Sequence, residues 1–140
     1  MNVRLACAAD LPAILALNRD SNPHPWAEQH FSDALNTNHI ELVEHAGAVL
    51  AFAVWQSVCD EAELHLIVTD RAQVRQGAAS ALLEHFVQTR PHIRRVLLEV
   101  RIGNTAACAL YARHGFIEIA RRKNYYLLPI EDALIMEKIC

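Results

Sequence analysis

The sequence offers few residues for building a staple, a membrane span or a basic surface. Its four cysteines, Cys7, Cys59, Cys108 and Cys140, lie far apart, and neither a C-x-x-C nor an H-E-x-x-H occurs. The usual zinc spacings are therefore missing, and no metal is expected. No apolar run approaches the ~18–20 residues that cross a bilayer. The opening Met1-Asn2-Val3-Arg4-Leu5 lacks the long apolar stretch and cleavage site of a signal peptide. Positive charge is not in excess: 13 Lys plus Arg against 16 Asp plus Glu leave a net charge of −3. That balance opposes duplex binding, and no direct nucleic-acid contact is expected. With only four glycines there is no G-x-G-x-x-G and no G-K-[ST], which excludes the dinucleotide fingerprint and the P-loop.

What is present is apolar. Hydrophobic residues make up 53% of the 140 positions, and a domain of this length buries roughly 68–70% of its unfolded surface. The chain reads as one soluble cytoplasmic domain, residues 1–140, with no repeat or linker.

Periodicity gives the order of elements. Val3 to Cys7 alternates as a short strand. Asp10 is expected to cap a helix with Pro12 in its first turn and Leu11, Ile14 and Leu15 on one face. Pro23-His24-Pro25-Trp26 is extended, because each Pro disfavours helix in the residue before it. A second helix is predicted over Ala27–Asn36. Strands near Ile40–Glu44 and Ala48–Ser57 flank a turn at Gly47. Glu63–Thr69 ends as a continuously apolar strand, which suggests cover on both faces. Gly77–Thr89 reads as a helix through Ala81, Leu82, His85 and Phe86. Val96–Val100 is a second buried strand. Asn104 caps a helix running to His114, Gly115 supplies its left-handed stop, and Phe116–Lys123 and Ala133–Ile139 close the chain as strands. The order β-α-α-β-β-β-α-β-α-β-β predicts an α/β fold with a mixed sheet and helices packed on it.

Three features carry candidate chemistry. Val68 to Leu83 is a strand end, a polar loop with Arg71 and Arg75, and a helix opening at Gly77 with Ala78, Ala79 and Ser80. A helix start lined by small residues can hold a phosphate on its amides, but the same residues suit an ordinary strand-to-helix connection. Glu99 interrupts the apolar run Val96–Val100. A carboxylate there needs a partner such as Arg101 or Arg113, or faces a cleft, where desolvation would improve it as a base. Tyr111, seven residues after Asn104, is a candidate proton donor or a core aromatic with its hydroxyl satisfied elsewhere.

Read together, these segments resemble a known family. The stretch Leu98-Glu99-Val100-Arg101-Ile102-Gly103-Asn104-Thr105-Ala106-Ala107, with Leu110-Tyr111 and Gly115-Phe116, is similar to the Gcn5-related N-acetyltransferases (GNAT). The turn Arg75-Gln76-Gly77-Ala78-Ala79 resembles that family's pyrophosphate loop. Within it, His24-Pro25-Trp26, Asp60-Glu61-Ala62, Arg121-Arg122-Lys123-Asn124-Tyr125-Tyr126 and Glu131-Asp132-Ala133-Leu134-Ile135-Met136 look like one bacterial branch, the ribosomal-protein-alanine N-acetyltransferases.

The resemblance implies acetyl-CoA as cosubstrate, lying in a split between the fourth and fifth strands. Backbone groups of Ile67, Val68 and Thr69 would hold its pantetheine, amides of Arg75, Gln76, Gly77, Ala78, Ala79 and Ser80 its pyrophosphate, and Asn104 the pantetheine arm. It implies Glu99 as general base, Tyr111 as general acid, and Trp26, Tyr125 and Tyr126 as substrate-binding aromatics. Glu131 and Asp132 are candidates to attract a basic peptide. The acceptor would be the N-terminal alanine of a small-subunit ribosomal protein, with other protein N-termini or small amines as the broader alternative. A cofactor-binding module without catalysis is the reading from a different class.

Three positions depart from the family pattern. Val74 stands where Gln or Arg is usual, Ala79 where Gly is common, and Leu66 where this branch often has Asn.

Overall fold

The computed structural model describes every residue except Asn38 and Arg75. Its strands are β1 (Asn2–Leu5), β2 (Ile40–His45), β3 (Ala48–Val58), β4 (Glu61–Thr69), β5 (Arg95–Arg101), β6 (Ile117–Leu127) and β7 (Ile130–Ile139). The helices are α1 (Leu11–Ser21), α2 (Glu28–Asn36), α3 (Ala78–Gln88) and α4 (Thr105–Arg113), with short 3-10 turns at Ala8–Asp10 and Arg71–Gln73. The strands are hydrogen-bonded in the order β1-β2-β3-β4-β5-β7-β6. This is the mixed α/β sheet that the periodicity predicts.

Two compact units share the chain. The first comprises Met1–Trp55 and Leu66–Phe86, the second Gln56–His65 and Val87–Cys140. In the first unit β2 alternates its side chains between two covered faces. Ile40 and Leu42 join Phe52, Val54 and Val68 in a core with Ile14 and Leu17 of α1 and Phe31 of α2. Phe31 meets Phe52 edge to face at 5.6 Å, and fully burying such a ring stabilises by roughly 1.5–3 kcal/mol. On the other face, Trp55 stacks on Phe86 of α3 at 3.8 Å. Glu41, buried within β2, places a carboxylate oxygen 3.3 Å from His85 Nε2 of α3. The β2–β3 turn places both Ala46 and Gly47 at positive φ, the twist that suits a two-residue hairpin.

Asp10 does not cap α1 with its side chain. Its carboxylate instead takes two bonds from the Arg4 guanidinium, at 2.8 and 2.9 Å, and one from the Cys7 N–H. A charged fork on the preceding strand outcompetes the neutral amides of the helix start. Arg4, first, and the Cys7 amide hold the Asp10 carboxyl well below the usual carboxylate range.

In the second unit, β5 pairs in parallel with β4 from Glu61↔Arg95 to Leu64↔Leu98, and β4 continues as a strand to Thr69. On its other side β5 pairs antiparallel with β7. Val96, Leu98 and Val100 are buried, whereas Glu99 is exposed and Leu97 and Arg101 are intermediate. The expectation of a strand buried on both faces is therefore corrected. The apolar letters run together, but only alternate side chains reach the core. β6 is longer than predicted, carrying Asn124–Tyr126 within the strand, and nearly every residue of it is exposed.

Candidate active site

The loop expected to hold phosphate lies in the first unit. Asp70 anchors it: its N–H donates to the Leu50 carbonyl at 2.8 Å and its side chain accepts from Ala72 N–H at 2.9 Å. The Arg71 N–H donates to Ser21 Oγ at 3.0 Å, tying the loop to the end of α1. Gly77 has φ +81, a conformation that L side chains rarely adopt. A Cβ built there has nothing within 4 Å, so backbone geometry, not crowding, demands the glycine. The bond from Ala81 N–H to the Gly77 carbonyl opens α3 at 2.9 Å, and the amides of Ala78 and Ala79 stand in the first turn before it. Val74 is exposed, and Gln73 is engaged by Gln76 at 2.6 Å. Arg75 lies outside the described residues. Of the β4 residues expected at the cofactor, Val68 is buried in the α1/α2 core, and Ile67 and Thr69 are intermediate.

Trp26 is also in this unit. Its ring stacks on Phe31 at 5.7 Å and meets His30 edge-on, so it closes the base of α2. The buried side chain of Asn18 accepts from the Trp26 N–H and donates to the Trp26 carbonyl, both at 2.9 Å. Nothing in the residue spacing announced this clasp.

The second unit gathers Glu99, Tyr111, Tyr125 and Tyr126. The Glu99 side chain is 35% exposed and 3.6 Å from the Arg122 guanidinium. Of the two alternatives, a charged partner or a desolvating cleft, it shows the first: a solvent-reachable, charge-paired carboxylate at a position that points away from the buried side chains of β5. Its partner is neither Arg101 nor Arg113 but Arg122 of β6, which also lies over the Tyr125 ring at 5.1 Å. Tyr125 and Tyr126 meet edge to face at 5.2 Å.

Tyr111 is buried on α4 and packs edge-on against Phe116 at 5.7 Å. Burial above all, then Cys108 and Tyr126, pushes its phenol well above the ordinary range. Such a group keeps its proton through neutral pH, which a proton donor requires. The Tyr126 phenol is also raised, chiefly by burial and then by the Glu99 carboxylate, with Arg101 opposing. Tyr126 thus feels the base candidate Glu99, and the acid candidate Tyr111 in turn feels Tyr126. Burial raises the Cys108 thiol too, consistent with a packing role rather than a nucleophile.

Asn104 caps α4 as predicted, its Oδ1 accepting from Ala107 N–H at 3.2 Å, and Gly115 ends the helix at φ +87. Glu131 and Asp132, the candidates to attract a basic peptide, are both engaged within the chain. Glu131 accepts from Gly103 N–H at 3.0 Å and Arg101 at 3.3 Å, and Asp132 accepts from Asn124 N–H at 2.9 Å. Sequence reasoning missed these internal pairings. The period-two spacing of Glu99 and Arg101 was the one available signal, since it puts both on the same face of β5. Among the described residues there is no group of three or more side chains suited to hold a metal, and no helix is long and apolar enough to cross a membrane.

Residues 11–116, which contain both the α3 loop and the Glu99–Tyr111 segment, match the Acetyltransferase (GNAT) family. The chain belongs to that family. This GNAT chain is 38% identical over 132 residues to the [ribosomal protein bS18]-alanine N-acetyltransferase of Escherichia coli K12, covering 91% of this chain and 89% of that protein. The crystal structure of the ribosomal-protein-S18-alanine N-acetyltransferase from Escherichia coli superimposes with a TM-score of 0.91 at 35% identity, covering 99% and 92% of the two chains. Ard1 from Thermoplasma volcanium gives a TM-score of 0.89 at 25% identity, covering 99% and 96%. The GNAT chain is accordingly an acyltransferase of the N-acetyltransferase type.

Proposed function

We propose that this acyltransferase acetylates the α-amine of an N-terminal alanine on a small-subunit ribosomal protein, using acetyl-CoA, in the cytoplasm. Residues 1–140 would act as one acetyltransferase domain. The observation that carries the acceptor is the likeness to a bS18-alanine enzyme over 91% of the chain. The loop after β4 suits a bulky anionic cofactor, because Gly77 is left-handed with open space around it and the α3 first turn follows. Its amides from Arg75, Gln76, Gly77, Ala78, Ala79 and Ser80 are proposed to bind the pyrophosphate. Backbone groups of Ile67, Val68 and Thr69 would hold the pantetheine as an added strand, with Asn104 on its arm.

Acetyl-CoA supplies the acyl group as an activated thioester. The α-amine has a pKa of about 7.7–8.0, so on the order of a tenth is neutral at pH 7. Glu99, directly or through a water, takes the proton that nitrogen must lose to attack. Tyr111, held neutral by burial, gives its proton to the departing sulfur. Direct transfer needs no covalent enzyme intermediate. Tyr125 and Tyr126, beside the Glu99–Arg122 pair, are proposed as substrate-binding aromatics, and so is Trp26 at the start of α2.

The test is intact-mass spectrometry of a peptide beginning Ala-Arg with enzyme and acetyl-CoA, beside a peptide with a blocked N-terminus and a free lysine. Acetylation of the free α-amine only is expected. Acetylation of both peptides would replace this reading with a broader amine acetyltransferase. Cofactor binding without transfer to either would overturn the alanine acceptor.

A further inference from the structure

β6 lies at the end of the strand order, and its ladder with β7 is broken where its chemistry sits. Register passes from Arg122↔Ala133 to Tyr126↔Glu131, so Lys123, Asn124 and Tyr125 together face Asp132 alone. Asn124 takes a positive φ of 53 at this bulge. A bulge re-aims side chains at the cost of regular ladder bonds, and the hairpin beyond it has little cover: Leu127, Leu128 and Ile130 are all strongly exposed. Pairing resumes at Tyr126↔Glu131, and the Tyr126 ring has a further contact beside it.

Arg101 stands across from it. Its guanidinium carbon lies 4.1 Å from the Tyr126 ring centroid, within the range of a cation–π contact. Its Nη1 donates to the Pro129 carbonyl at 3.2 Å and to Glu131 Oε1 at 3.3 Å. The Arg101 and Glu131 side chains are only 17% and 22% exposed. Glu131 Oε2 in turn accepts the Gly103 N–H at 3.0 Å. A Cβ on Gly103 would stand 2.5 Å from that same oxygen, so the carboxylate occupies the space that any other residue would fill.

We propose that Arg101, Glu131 and Gly103 form a clamp that sets the Tyr126 ring for the acceptor, making Arg101 a positioning residue of the transfer reaction. The acceptor part rests on the function proposed above; the ring-fixing part stands on the contacts alone. The clamp spans the end of β5, the start of β7 and the residue before the α4 cap. It therefore links the aromatic acceptor side to the helix that carries Tyr111.

Two readouts test it. Nitration of Tyr126, read by mass spectrometry against Tyr125 in the same chain, reports ring cover without any acceptor. In Arg101→Met the Tyr126/Tyr125 nitration ratio is expected to rise several-fold, and in Arg101→Lys by less, because a compact ammonium caps the ring less fully than a planar guanidinium. In the transfer assay, Arg101→Met should raise KM for the Ala-Arg peptide about tenfold while KM for acetyl-CoA stays within about twofold. Gly103→Ala should push the Glu131 carboxylate aside and reproduce Glu131→Gln, and the double variant should be no worse than either single one. These two variants keep the test open if Arg101→Met does not fold. An unchanged nitration ratio, or KM values that rise together for peptide and acetyl-CoA, would overturn the clamp. If the unaltered enzyme transfers nothing to the alanine peptide, the acceptor assignment fails, and the nitration ratio still decides for or against the fixed ring.

Discussion

Glu41 and Glu99 occupy the same kind of sequence, a single carboxylate inside an apolar strand, and the fold treats them oppositely. Glu41 is buried and lies 3.3 Å from His85 on a helix that covers its face of the sheet. Glu99 is one-third exposed, against a guanidinium from the bulged strand β6. A buried charge needs a partner to exist at all, whereas an exposed one is available to a substrate. The difference lies in the layer above the strand, which the strand's own letters do not encode.

Substitutions at the two sites should therefore fail in opposite ways. The largest expected effect is on chemistry: Glu99→Gln should lower turnover by about 10²–10⁴-fold, with the thermal midpoint nearly unchanged. The deficit should be greatest near pH 7 and shrink at high pH, where the α-amine loses its proton unaided. Equal rates for variant and wild type across that range would remove Glu99 as the base. Tyr111→Phe should follow, with a loss of roughly 10²-fold or more if the phenol is the acid and a fold that persists, since the ring still packs on Phe116. Because its phenol is raised, ionisation of Tyr111 should contribute no fall in rate between neutral pH and the ordinary tyrosine range. A pH–rate profile of wild type beside Tyr111→Phe checks this.

His85→Ala should show the reverse pattern, losing roughly 1–3 kcal/mol in urea denaturation by leaving Glu41 without this partner. Turnover per folded molecule should be retained. The smallest effect is at Asp10. Its folded pKa is depressed, so its contribution is fully present above the ordinary carboxylate range and is lost as pH falls through the folded value. The urea midpoint of wild type should drop from pH 7 to pH 3, and Asp10→Asn should narrow that drop by flattening the acid side. An equal drop in both proteins would mean that other carboxylates carry it.

Much of the fold was legible because periodicity and punctuation agree. Asn104 and Gly115 bracket α4 with a cap and a left-handed stop, and the positions of Ile40, Leu42, Phe52 and Val54 repeat at the strand period. The candidate acid and base were legible as residue types in a family-like segment. Their surroundings were not. The partner of Glu99 comes from twenty-three residues downstream, at the edge of a bulge that strand propensity does not announce. Asp10 looked like a cap because Pro12 follows it, but the competing fork of Arg4 comes from a different element. Glu131 and Asp132 looked like free surface charge because their partners, the amides of Gly103 and Asn124, belong to backbone that sequence pattern cannot place.

The clasp of Asn18 on Trp26 has a consequence for how this molecule tolerates change. By answering both the N–H and the carbonyl of Trp26, one amide side chain on α1 closes off the proline-containing segment, residues 22–25, between the end of α1 and the start of α2. The segment becomes a closed loop hung from a fixed knot. Insertions or deletions inside it should alter its length without shifting α2 or the Phe31 ring beneath it, so loop variation here is insulated from the core for as long as Asn18 is kept.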